Sequence, residues 1–411
     1  MISKIKSKFK SEDSKRLLSN FLSLLTLQGA NYILPLLTLP YLVRVLGMEK
    51  FGLLAFAMAT IIFFKIITEY GFHLTATRDI AFNRDNRDKI IEIFSAVMII
   101  KFLLLLVSFM LLVLLVFNIE KFYQYREVYF LTFGTVIGQV LFPVWFFQGM
   151  ERMKYITFLN ILSKLIFTIA VFIFIQEESD FYIVPLLTSS GFIVAGILSL
   201  FIIRKEFNIE FRLQGSLTIK TYFKNGWNIF IVELLPNLYN NFSTFFLGFF
   251  VSMEMLGIYS LAIKIIDILN SFIRIMRNVT YPFLVNNISK FHIILKVMVS
   301  TGLLFTFLVI SLSHLIIPYI FGYSANESIL YLYILSLSPF FLAITFSYGS
   351  NRLLILKKDK EMKYITYQYS IYGFIVSLVL IPMYGVLGAS ITLISTRFLM
   401  SILTYKGGRL L

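Results

Sequence analysis

The sequence predicts an all-α polytopic membrane protein with twelve transmembrane helices in two six-helix lobes, and three observations predict it. First, 58% of the 411 residues are hydrophobic and 14% charged, against roughly one-quarter charged in soluble domains. Second, apolar runs of roughly 19–27 residues, each able to cross about 30 Å of hydrocarbon, begin near residues 20, 51, 91, 127, 155, 182, 226, 258, 297, 328, 364 and 387. Third, Met48-Glu49-x-Phe51-Gly52-Leu53-x-x-x-Ala57 recurs as Met253-Glu254-x-Leu256-Gly257-Ile258-x-x-x-Ala262, offset by 205 residues. The halves are therefore expected to be built alike. In a membrane transporter, such a duplication places the working site where the halves meet.

Residues 1–19 form a basic N-terminus carrying Lys4, Lys6, Lys8, Lys10, Lys15 and Arg16. The apolar run after it continues for about 25 residues without a small-residue cleavage site, so it is expected to stay as the first span. Residues 20–203 then form an N-lobe with helices 1–6, 204–224 a cytoplasmic connector, 225–405 a C-lobe with helices 7–12, and 406–411 a cytoplasmic tail. An even number of spans puts both termini on one side, and lysine and arginine say which. The segments 1–19, 73–89, 149–154, 204–224, 274–296, 351–363 and 404–411 hold 28 of the 37 basic residues, while the alternate loops hold four. Both termini are expected on the cytoplasmic side.

The formal charge of +15 sits in short caps between apolar runs rather than in a folded basic domain, which argues against nucleic acid as a partner. With no Cys, disulfides, thiolate metal sites and cysteine nucleophiles are excluded. His73, His292 and His314 lie too far apart for a metal-ligand pattern, so no metal, cofactor or catalytic group is expected. Pro35, Pro40, Pro143, Pro185, Pro236, Pro339 and Pro382 fall within or at the ends of spans, where they are expected to break or bend helices.

Five basic residues fall inside spans: Lys65, Lys101, Lys164, Lys264 and Arg397. At about 1.5 Å per residue, Lys101 and Lys164 lie some 15 Å from the cytoplasmic ends of their helices, near the midplane. Facing lipid there would cost each about 2.5–3.5 kcal/mol, so a water-filled interior is the favoured location. Lys65 is shallower and could snorkel. The eighth span adds Asp267, Arg274 and Arg277, which with Lys264 fall within an arc of about 140° on one helix face. Lys264 with Asp267, and Lys65 with Glu69, could neutralise each other at helical spacing. The interior tally is seven basic groups against Glu69, Glu233 and Asp267. A cavity with that excess suits a phosphate or diphosphate anion held by charge-assisted hydrogen bonds. The three carboxylates are candidates for a coupling cation. Glu233 suits that role, since a helix broken near Pro236 would bare carbonyls beside it, and pairing with a nearby lysine is the alternative. In the second cytoplasmic loop, Arg78-Asp79 and Arg84-Asp85 are candidates for a gate.

Four runs, QGANYILPLLTLPYLVRVLG (28–47), EKFGLLAFA (49–57), EYGFHLTATRDIAFNRD (69–85) and WFFQGMERMKYIT (145–157), resemble the Wzx-type O-antigen flippases. These form the polysaccharide-synthesis branch of the multidrug/oligosaccharidyl-lipid/polysaccharide (MOP) flippase superfamily. The resemblance covers all twelve spans, more loosely in the C-terminal half. Met48 stands where relatives commonly have Pro, a departure confined to the external turn. The resemblance implies two lobes around a basic cavity and movement of an undecaprenyl-diphosphate-linked oligosaccharide, for O-antigen or capsule, to the outer leaflet of a bacterial inner membrane. It also implies coupling to H+ or Na+, and a polysaccharide polymerase as candidate partner alongside membrane lipid. A drug or organic-cation exporter of the MATE branch should instead have an acidic cavity. A membrane glycan polymerase or glycosyltransferase would need a sizeable extracytoplasmic loop, and here those loops are about 6–9 residues.

Overall fold

The computed structural model describes residues 12–409, and within them all side chains except those of 12–28, 30–33, 232, 233, 235, 236, 238–240 and 286. The lysines of the N-terminus, and the side chains of Glu233 and Pro236, lie outside the described set. All regular structure among the described residues is helical. The main helices are α1 (Glu12–Glu69), α2 (Phe72–Phe82), α3 (Arg87–Asn118), α4 (Arg126–Leu141), α5 (Val144–Gly149), α6 (Met153–Phe174) and α7 (Ile183–Phe207). There follow α8 (Ser216–Asn240), α9 (Phe242–Leu247), α10 (Met253–Asn286), α11 (Phe291–Phe321), α12 (Ser328–Leu335), α13 (Ser338–Thr345) and α14 (Asp359–Arg409). A π-helical segment, Phe346–Leu354, continues α13. Among the described residues, nine helical stretches are long and apolar enough to cross a membrane, which makes this a multi-pass membrane protein.

At about 1.5 Å per residue, a helix of 58 residues would be nearly three hydrocarbon thicknesses long, so α1 cannot cross in one pass. Its ladder breaks at Gly47 (φ 70°, ψ 172°), and that of α14 breaks at Gly385 (φ 54°, ψ −126°). Both conformations are ones that only glycine adopts cheaply. The prolines expected to break these helices do not: Pro35, Pro40 and Pro382 sit inside helix that continues through them. Neighbouring helices in a bundle can absorb a missing N–H, whereas the sharp reversals need a positive φ. Pro143, by contrast, does mark a break, capping α5 just past the end of α4. Gly47→Ala is expected to lower the melting temperature in detergent by several degrees, through a backbone strain of about 1–3 kcal/mol. An unchanged melting profile would remove the strained turn.

The chain divides into two compact units: the described residues up to Val45 with Thr60–Glu233, and Leu46–Ala59 with 234 onward. In the first unit, aromatic packing dominates. Trp145, Phe146 and Phe147 are fully buried among Phe94, Ile80, Ile90 and Leu159. Helices α4 and α7 approach closely through small residues, with Ser189 and Ser199 on α7 donating hydrogen bonds to the carbonyls of Leu131 and Leu141 on α4. Without a hydrophobic drive between helices in lipid, close packing and such hydrogen bonds hold a bundle together. Helix α3 shows its two faces plainly. Val97, Lys101, Ser108 and Leu112 are buried, while Phe102, Leu106, Met110 and Leu114 are exposed.

In the second unit, the two copies of the repeated motif lie against each other. A Cβ on Gly52 would fall 1.8 Å from the Met253 carbonyl oxygen, and one on Gly257 would fall 2.1 Å from the Met48 carbonyl oxygen. The contact is reciprocal, as in a two-fold interface where i meets j and j meets i. Around it Phe51, Leu53, Phe56, Leu256, Ile258, Leu261 and Ala262 are buried. Elsewhere in this unit, Ser338 at the start of α13 donates to Asn270 of α10 at 3.0 Å, and both are fully buried.

Candidate functional site

In the first unit α3 and α4 meet α1 at Glu69, the last residue of α1. Lys101 of α3 is fully buried and places its ammonium 2.8 Å from Glu69 Oε2. The Gln139 amide of α4 donates to the same oxygen at 3.0 Å. The Glu69 side chain keeps 20% of its surface accessible, so this carboxylate is reached from one side. A buried ammonium without water must find an anion, and removing either member of such a pair leaves an uncompensated charge. This corrects the local pairing expected from sequence. Glu69 is taken by Lys101, while the half-buried Lys65 ammonium lies 5.4 Å from the centre of the Phe192 ring. Lys164 is half-buried on α6, beside the buried Ser163. His73 lies within electrostatic reach of Glu69.

In the second unit α10 carries the stripe. Lys264 is exposed, with its ammonium 5.1 Å from the Phe51 ring centre. The Asp267 carboxylate accepts from Asn270 at 3.3 Å rather than from Lys264, because Asn270, held by Ser338, offers a fixed amide one turn away. Arg274 donates to Ser271 at 2.6 Å and to the Asp267 carbonyl at 3.4 Å. Arg277 donates to Asn278 and covers the Phe346 ring at 4.7 Å. Both arginines stand well inside α10, which runs on to Asn286, rather than in a loop starting at 274. Arg397 of α14 is buried at 7% exposure. Lys65, Lys264, Arg274 and Arg277 thus have no carboxylate partner among the described residues.

The loop pairs also differ from the sequence pattern. Arg78 and Asp79 do bind each other, at 3.1 Å. Arg84 instead bridges to Glu151 at 2.8 Å and donates to the Gly149 carbonyl at 2.6 Å, tying α2 to the turn after α5. Sequence reading missed Gln139 and Asn270. Each is an amide in an apolar span, where leaving it unpaired is costly; that cost was the available signal.

The chain is 29% identical over 392 residues to a putative O-antigen transporter of Escherichia coli K12, covering 93% of this chain and 94% of that one. It is also 29% identical over 251 residues to a putative O-antigen transporter of Shigella dysenteriae, covering 60% and 62%. Its fold matches the lipid II flippase MurJ in an inward closed conformation, with a TM-score of 0.73 at 12% identity over 95% of this chain and 87% of that one. It also matches an inward-facing MATE multidrug transporter of the MOP superfamily, with a TM-score of 0.66 at 12% identity over 92% and 94%. With the polysaccharide biosynthesis protein model matching residues 17–288, the chain belongs to that family.

Proposed function

We propose that the chain is a flippase that moves undecaprenyl-diphosphate-linked oligosaccharide units from the cytoplasmic to the outer leaflet of the bacterial inner membrane by alternating access, breaking no bond. The observation that carries this reading is the set of cations, Lys65, Lys264, Arg274 and Arg277, that stand in membrane-length helices without a carboxylate to neutralise them. Lys264, Arg274 and Arg277 stand on one helix, and such charges suit an anionic headgroup; a diphosphate supplies one that accepts several charge-assisted hydrogen bonds. Lys164 and Arg397 are further basic groups within membrane-length helices, and Lys101 holds Glu69. This basic character favours a lipid-linked diphosphate over an organic cation, and the O-antigen transporters among its relatives support the same reading. Twelve spans fit the helices if α1 and α14 each count twice, broken at Gly47 and Gly385, and α8 with α9 counts once. Both termini are then cytoplasmic.

Coupling to H+ or Na+ would run through Glu69, whose accessible side could accept a cation in exchange for the grip of Lys101, with Asp267 and Glu233 as further carboxylates. The Arg78–Asp79 pair then serves as a cytoplasmic gate. Transport measured under imposed H+ and Na+ gradients separates the two ions. In a flippase-null strain, Lys65→Ala and Lys264→Ala at normal expression are expected to cut surface glycan about tenfold or more, the loss of one charge-assisted hydrogen bond each, while the Arg replacements retain most of it. Normal glycan from both alanine variants would remove the cationic site. In reconstituted vesicles, labelled lipid-linked oligosaccharide should change leaflet without changing mass; a change of mass would make the protein an enzyme.

A further inference from the structure

The first unit contains a cleft of about 350 Å³ whose lining, Asp79 of the gate pair apart, the transport reading does not use. Asp79 and Asn83 line it from the end of α2, Lys89 and Glu92 from the start of α3, and Thr218, Tyr222 and Asn225 from the start of α8. Its frame is built. Arg87 clamps the Asn208 carbonyl at 3.0 and 2.6 Å, and the Arg212 amide donates to Ser95 at 2.9 Å, so the segment leading into α8 is tied to α3. Within the cleft, Lys89 neutralises Glu92 at 2.7 Å and the Tyr222 hydroxyl donates to the same carboxylate oxygen at 3.3 Å. Burial and the neighbouring Glu92 and Asp79 carboxylates push the Tyr222 phenol up, so it stays protonated as a donor.

The lining decides the ligand class. Asp79 is neutralised by Arg78 and Glu92 by Lys89, so the wall is close to neutral and offers no excess of cations to a phosphate. Carboxylate, amide and hydroxyl groups beside the Tyr222 ring, Ile93 and Leu217 match a neutral, hydroxyl-rich ligand. Vicinal hydroxyls bind carboxylates and amides in pairs, and the C–H face of a sugar ring lies against an aromatic ring. The side chains of Thr218 and Asn225 make no hydrogen bond to a described residue, so their polar atoms are open to a ligand. The volume holds about one or two sugar rings, at the small end of ligand sites. We propose that this cleft is a glycan subsite that reads sugars of the lipid-linked unit on its uptake side. The proposal rests on the transport reading above and on the cytoplasmic placement of segments 73–89 and 204–224 by the charge tally.

The test uses the full chain in lipid nanodiscs and, as probe, the repeat-unit oligosaccharide released by mild acid from the source strain's lipid-linked intermediates. Saturation-transfer-difference NMR is expected to show transfer to the sugar ring protons. Thr218→Trp, which fills the cleft, should weaken it about tenfold, and Asn225→Leu, which removes paired hydrogen bonds, about threefold or more; Thr218→Ser should stay within about twofold. No transfer to wild-type protein, or equal transfer to Thr218→Trp and Asn225→Leu, overturns the proposal. Complementation of a flippase-null strain is scored separately. Wild type that restores surface glycan yet shows no transfer fails the subsite alone. Transfer without complementation fails the transport reading and leaves a sugar site standing.

Discussion

Gly52→Val is expected to leave less than about a tenth of the wild-type yield of monodisperse protein after detergent extraction, and Gly257→Val to do the same. A Cβ at either position lies within about 2 Å of a backbone carbonyl oxygen, 1.8 Å at Gly52 and 2.1 Å at Gly257. Overpacking commonly costs about 1–3 kcal/mol when side chains can move aside, and more when they cannot. Here the obstruction is main chain inside a helix, so the helices themselves must part, exposing Phe56 and Leu256, both now fully buried. Gly215→Ala, where nothing lies within 4 Å, is the control and should extract normally. A Gly52→Val protein that purifies and melts like wild type would show that the two motif copies do not pack reciprocally.

The second large effect is at the buried ion pair. Lys101→Ala should destabilise the protein by about 3–5 kcal/mol, because Glu69 is left with a charge it can no longer share. Glu69→Gln alone strands the ammonium, which is fully buried and has less recourse to water. The double replacement Lys101→Met with Glu69→Gln removes both charges while keeping their volume. It should recover most of the thermal stability, a coupling of about 2 kcal/mol or more in a double-mutant cycle. If Glu69 carries the coupling ion, transport is not recovered with stability. Additive single and double effects would mean that the 2.8 Å contact has no energetic weight.

Much of this was legible in the sequence, and what was not follows a physical rule. Apolar runs and the cost of a midplane ammonium foretold that Lys101 turns inward. They could not name its partner, because Lys101 and Glu69 sit 32 positions apart, and spacing rules reach only one helical turn. The same blindness suggested a pair of Lys65 with Glu69 and could not foresee the partner of Arg84, where tertiary packing delivered Phe192 and Glu151. The repeated Met-Glu-x-hydrophobic-Gly motif announced a duplication but not that its copies touch. The proline pattern misplaced the sharp breaks of α1 and α14, which fall instead at the positive φ of Gly47 and Gly385. The sugar-like cleft could not be seen at all, for its lining comes from three separated segments whose residues look individually like solvated loop.

The two-faced character of α3 has a consequence for spacing. The helix is anchored at its start by the Asn86 side chain, which accepts from the Lys89 amide at 3.1 Å. One residue inserted between that anchor and Lys101 would swing the ammonium by about 100°, out of reach of Glu69 and toward the acyl chains that meet Phe102 and Leu106. The count of residues from Asn86 to Lys101 is therefore as constrained as their chemistry, and insertions there should be tolerated far less than substitutions.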